Sequence, residues 1–130
     1  MCGKVSDPSK FPKSRRLLKH ADFQRVYQHG RRQFTGNMTV FFLRREHALN
    51  CEARVGLTVG KVLGGSVERN RIKRRMREAV RMSRFCCEGA IDIVFNPRKS
   101  VLTLGFEDLV NEVARGLRIA AQRARVAEQK

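Results

Sequence analysis

Six of the nine residues from Arg69 to Arg77 are cationic, and five of those six are arginine. They stand inside SVERNRIKRRMREAVRMSRFCC, Ser66 to Cys87. Arginine presents a planar fork that grips a phosphate through two hydrogen bonds, where lysine offers a point charge. At about 100° per residue, Asn70, Lys73, Arg74, Arg77, Arg81 and Arg84 fall within about a third of a helix circumference. Ile72, Met76, Ala79, Val80 and Ser83 fall on the opposite side, with Val67 also threading the run, so the spacing predicts a helix with one narrow packed stripe. A solvated helix face normally interleaves signs, because like charges one turn apart repel. Here only Glu78 lies near the charged face. A phosphate backbone is the partner this chemistry fits. A membrane surface fits less well, since the apolar stripe has no large aromatic residue and is needed for the core.

Residues that would carry out catalysis by themselves are missing from the sequence. His20, His29 and His47 lie in unrelated contexts, with no paired carboxylates, HExxH or Gly-x-Ser-x-Gly motif nearby. Cys2, Cys51, Cys86 and Cys87 form no CxxC pair and read as structural thiols of a reducing cytosol rather than zinc ligands.

The 28 Lys and Arg against 12 Asp and Glu give a formal net charge of +16, a self-repulsion that a polyanion would relieve. With 42% hydrophobic residues, 8 of them Phe, the 130-residue chain has enough apolar surface for one core and one domain. No apolar run approaches the roughly 20 residues of a membrane span. MCGKVSDPSKFPKSRR at the N-terminus has no signal-peptide core. A cytoplasmic protein is expected.

The elements that must position the basic helix follow from periodicity. Residues 1–16 read as a flexible basic arm, 17–123 as the domain and 124–130 as a tail. LLKHADFQRVYQHG predicts a first helix bearing Leu17, Phe23, Val26 and Tyr27, with Gly30 as its C-terminal cap. RRQF and the stretch from Asn37 to Leu43 predict two strands around a Gly36-Asn37 turn, and Val55, Leu57 and Val59 alternate as a third. REHALNCE between them reads as a loop. Ser66 is the expected N-cap of the basic helix, with Arg69 rather than Glu three positions on. AIDIVFNP predicts a last strand stopped by Pro97. Thr103 is the expected cap of a final helix carrying Phe106, Leu109, Val110, Val113 and Leu117.

GLTVGKVLGGSVERNRIKRRMRE closely resembles the signature segment of the bacterial ribonuclease P protein subunit, centred on Arg69-Asn70-Arg71. RLLKHADFQRVYQHGRR, AIDIVFNPRK and LGFEDLVNEVARGL resemble three further segments of that family in the same order. Gly60, Lys61 and Val62 depart from the family's Ser-Lys-Lys, and Gly65 and Glu68 stand at positions usually basic. The resemblance implies an α/β fold, an α+β sandwich of order α-β-β-β-α-β-α with a left-handed β-α-β crossover, against the usual hand.

By the same resemblance, the protein is a subunit of a ribonucleoprotein that hydrolytically removes the 5′ leader of precursor tRNA. Mg2+ would be held by the RNA subunit and phosphates, and no obligate protein partner is evident. Arg69, Asn70, Arg71, Lys73, Arg74 and Arg77 would meet the catalytic ribonuclease P RNA. A cleft between the first helix and the sheet, with Phe23, Tyr27 and Phe41, would take the single-stranded leader. Arg31 and Lys61, with Arg25 and Arg32, would supply its basic rim. Spacing alone favours a core role for Phe23 and Tyr27; the resemblance favours base stacking. The competing class is a non-enzymatic RNA-binding protein, ribosomal or chaperone, while a DNA-binding architectural role lacks a groove-reading motif.

Overall fold

The computed structural model describes residues 20–44, 54–83 and 91–128, with side chains to Arg123. The expected arm over 1–16, Leu17, the loop 45–52 with His47, all four cysteines and Arg84 lie outside the described residues. In chain order come α1 (His20–His29), β1 (Arg31–Phe34), β2 (Met38–Arg44), β3 (Arg54–Leu57), α2 (Ser66–Met82), β4 (Ile91–Pro97) and α3 (Phe106–Glu128). Single 3-10 turns occupy Lys61–Leu63 and Lys99–Leu102. The order is the expected α-β-β-β-α-β-α. The α3 backbone continues into the segment read as a tail.

The sheet order is β1-β2-β4-β3. β2 runs antiparallel to both β1 and β4, while β3 and β4 are parallel neighbours whose connection contains α2. Side chains alternate across a strand, so each strand serves two layers. Met38, Val40, Phe42, Val55, Ile91, Ile93 and Phe95 pack with Ile72, Met76, Ala79 and Val80 of α2 and Leu109, Val113 and Leu117 of α3. On the other face, Phe41, Leu43 and Val94 meet Phe23 and Val26 of α1. Each large apolar side chain fully buried this way contributes about 1.5–3 kcal/mol. The result is a helix, a sheet and a helix pair in three layers. Among the described residues, no helix is long and apolar enough to cross a membrane.

Two glycines allow the layers to approach. A Cβ on Gly30 would stand 2.5 Å from the Val26 carbonyl oxygen and 2.6 Å from that of Phe42. Its φ is not among the positive ones, so Gly30 ends α1 for want of room rather than by a left-handed cap. At Gly116 a Cβ would lie 3.1 Å from Val40 Cγ2, where α3 crosses the sheet.

Other boundaries differ from the expected ones. The N-cap of α2 is Gly65, with no side-chain cap; Ser66 is already helical. Thr103 closes the 3-10 turn at Lys99–Leu102 by donating its hydroxyl to the Ser100 carbonyl at 3.1 Å. α3 begins two residues beyond Leu104, with Leu109 N–H bonded to the Gly105 carbonyl at 2.9 Å. Val67 points to solvent. These residues share their local chemistry with true caps and stripes, and only the neighbouring turns decide the outcome.

Candidate nucleic-acid interface

Ile72, Met76, Ala79 and Val80 face inward on α2, which turns Asn70, Arg71, Arg74 and Arg77 fully outward. Lys73 and Arg69 are half-buried, and Arg69 Nε is shut from water without a hydrogen-bond partner. Among the described residues, no carboxylate lies within ion-pair distance of Arg71, Lys73, Arg74 or Arg77. Glu78 pairs with Arg81 at the helix's far end. Arg75, in the middle of the run, is withdrawn from solvent work. Its Nε donates to the Val101 carbonyl at 2.9 Å, a terminal nitrogen donates to the Leu104 carbonyl, and the guanidinium lies 5.9 Å from the Phe106 ring centroid. It ties α2 to the start of α3.

The opposite sheet face carries three cross-strand rows. Leu43, Asp92 and Arg54 form the first; Arg32, Phe41, Val94 and Gly56 the second; Phe34, Thr39 and Asn96 the third. α1 lies over the first two. Tyr27 and Phe41 meet edge to face, centroids 4.9 Å apart at 87°, and Phe23 packs into the same cluster. The Tyr27 hydroxyl reaches the third row, 2.6 Å from Thr58 Oγ1 and donating to Asn96 Oδ1 at 3.1 Å. Tied by its hydroxyl to Thr58 and Asn96, Tyr27 keeps 36% of its surface exposed. The predicted aromatic set is therefore brought together, half packed and half open.

The predicted rim residues separate. Lys61 is exposed on the 3-10 turn between β3 and α2. Arg31 pairs with Phe42 in register and so belongs to the sheet face away from Tyr27, whereas Arg32 pairs with Phe41 on the cleft face. Arg25 is engaged: it donates to Asp22 at 2.9 Å and Asp92 at 3.2 Å. Arg54 completes this cluster with two bonds of 2.8 Å to the fully buried Asp92. The Asp92 hydrogen bond holds the Arg54 guanidinium above its usual pKa, against the opposing effect of burial. Two aspartates and two arginines neutralise one another and brace the first row. Asp22 and Arg25 stand one helical turn apart, but Asp92 lies 67 residues from Arg25 and 38 from Arg54, and no local spacing signals its part.

A second set that spacing leaves unmarked sits on α3. The buried Glu112 carboxylate accepts from the Thr35 hydroxyl at 2.7 Å and from the Asn37 backbone and side-chain amides at 2.8 Å each. Ser100 Oγ donates to Asn37 Oδ1 at 2.7 Å. These contacts fix the β1–β2 turn at Gly36, whose φ is +107°. Among the described residues, no three His, Cys, Asp or Glu side chains converge as a metal site requires.

Residues 11–121 match the family model described as Ribonuclease P. The chain is 38% identical over 105 residues to a ribonuclease P protein component of Desulforapulum autotrophicum, covering 81% of this chain and 87% of the relative. It is 35% identical over 101 residues to that of Syntrophus aciditrophicus, covering 78% and 82%. The structure of the Staphylococcus aureus RNase P protein superposes with a TM-score of 0.69 at 30% identity, over 83% of this chain and 96% of that one. The Thermotoga maritima RNase P protein shares the fold at 23% identity, with a TM-score of 0.66 over 82% and 96%.

Proposed function

Because the chain belongs to the ribonuclease P protein family, we propose that it is the protein subunit of a ribonucleoprotein endoribonuclease that removes the 5′ leader of precursor tRNA. In this reading α2 binds the catalytic RNA and the Tyr27–Phe41 cleft receives the single-stranded leader. The observation that carries it is the α2 face, where Arg71, Arg74 and Arg77 are exposed without a carboxylate partner among the described residues. Uncompensated cations in a row favour a phosphate backbone.

The residues present support a division of labour between protein and RNA. Asp22 and Asp92 are bound by guanidiniums and Glu112 by Thr35 and Asn37, so these carboxylates are ill-suited to hold Mg2+. The proposal places the Mg2+ ions on the RNA and its phosphates, where they supply charge neutralisation and an activated water. The chain's own part is to bind and orient. Cationic α2 offsets phosphate repulsion in the assembled RNA, while the partly exposed Tyr27 ring offers a stacking face that accepts any base.

The test is reconstitution with a bacterial ribonuclease P RNA at low Mg2+. Stimulated cleavage of precursor tRNA is the expected result. RNA binding without stimulation would favour a ribosomal or chaperone-like role instead. In the assembled enzyme, Tyr27→Ala should lower the ratio of precursor to mature tRNA affinity by about fivefold or more. An unchanged ratio would remove Tyr27 from the leader site.

A further inference from the structure

We propose that the open end of the cleft carries a further base-stacking position, formed by Phe34 and Arg98. It would take a leader nucleotide next to the one received at Tyr27 and Phe41. The inference rests on the leader reading above and extends it to residues outside the aromatic set.

Phe34 ends β1 with 54% of its surface exposed. Its register partner is Thr39, which pairs in turn with Asn96, so the ring stands on the face that carries Phe41 and Tyr27. Among the described residues, α1 makes its hydrogen bonds to this row through the Tyr27 hydroxyl. Arg98 follows Asn96 by two residues, which returns its side chain to the same face. Its guanidinium lies over the Phe34 ring at 5.2 Å from the centroid. No carboxylate among the described residues pairs with it.

A single exposed apolar side chain on an edge strand is ordinary. Three features together set this one apart. The ring is held by a cation that lacks a counter-charge among the described residues, it lies on the cleft face, and Phe34 and Phe41 are diagonal neighbours across β1 and β2. Such neighbours stand about 7–8 Å apart, a distance an extended nucleotide spans. Arg32, exposed in the second row, and Lys99, exposed beside Arg98, add charge along the same edge. An aromatic face backed by a guanidinium and flanked by cations suits an unpaired base with its phosphate. An acidic protein strand docked on the β1 edge is the competing occupant, and it predicts that Phe34→Ala leaves the dependence on leader length unchanged.

The full chain is assembled with a bacterial ribonuclease P RNA, and its affinity is measured for precursor tRNAs whose leaders lengthen one nucleotide at a time. Wild type should gain affinity at the step that reaches Phe34. Phe34→Ala should reduce that gain by about fivefold or more, Phe34→Tyr should restore it and Phe34→Leu should not. The same series with Tyr27→Ala monitors the cleft itself. If Tyr27→Ala lowers leader affinity while Phe34→Ala and Phe34→Leu follow the wild-type curve, the Phe34 position is overturned and the cleft stands. If neither Tyr27→Ala nor Phe34→Ala changes the curve, the leader reading fails with it.

Discussion

Arg74 and Arg75 are adjacent in sequence and opposite in role. Arg74 is exposed without an ion pair among the described residues, while Arg75 spends its donors on the Val101 and Leu104 carbonyls. Arg75→Ala should therefore cost about 2–3 kcal/mol in urea unfolding, because two carbonyls lose a charged donor. Arg74→Ala should stay within about 0.5 kcal/mol of wild type and instead weaken assembly with the RNA. Equal effects of the two substitutions on stability would contradict this assignment. The helical wheel sets Arg75 apart from the charged face, so its exclusion from the phosphate set was legible. Its partners were not, since they close a turn almost thirty residues downstream whose position leaves no periodic trace. Asp92 was hidden for the same reason: within AIDIVFNP it reads as an unremarkable polar residue of a buried strand, and only the packing of α1 and β3 reveals Arg25 and Arg54 beside it.

At the scale of elements, type and order were legible because both depend on periodicity within a window of ten residues or so. Caps were not, as Ser66 and Thr103 show, because a hydroxyl suits a helix start and a turn equally well. The β1–β2 turn is the clearest case of long-range control. Gly36-Asn37 predicts its place, but the carboxylate that fixes it comes from Glu112, 75 residues from Asn37. Glu112→Gln should destabilise the chain by about 1–3 kcal/mol, since one of the oxygens accepting these bonds becomes a donor. Amide exchange at the Asn37 N–H should accelerate beyond what global unfolding accounts for. An unchanged Asn37 exchange rate would show that the hairpin holds its turn alone.

For the whole molecule, charge and layering act together. At +16 the free chain repels itself, so its melting temperature should rise with added monovalent salt while its affinity for RNA falls. Three α2 arginines without an ion pair among the described residues, at about −0.7 per phosphate contact on single-stranded RNA, imply a log-log slope of about −2 or steeper. A flat profile would remove the electrostatic account of α2. The layering also has a consequence for inheritance. Along β2 the residues that fill the core, Met38, Val40 and Phe42, alternate with those on the cleft face, Thr39, Phe41 and Leu43. Mutations at even positions are thus judged by the main core and those at odd positions by the packing under α1 and by what the cleft accepts, so the two requirements can drift independently within seven residues. Deleting one residue that shifts β2 within the sheet would exchange the two sets at a stroke. Lineages should therefore tolerate substitution in this strand far more readily than any change in its length.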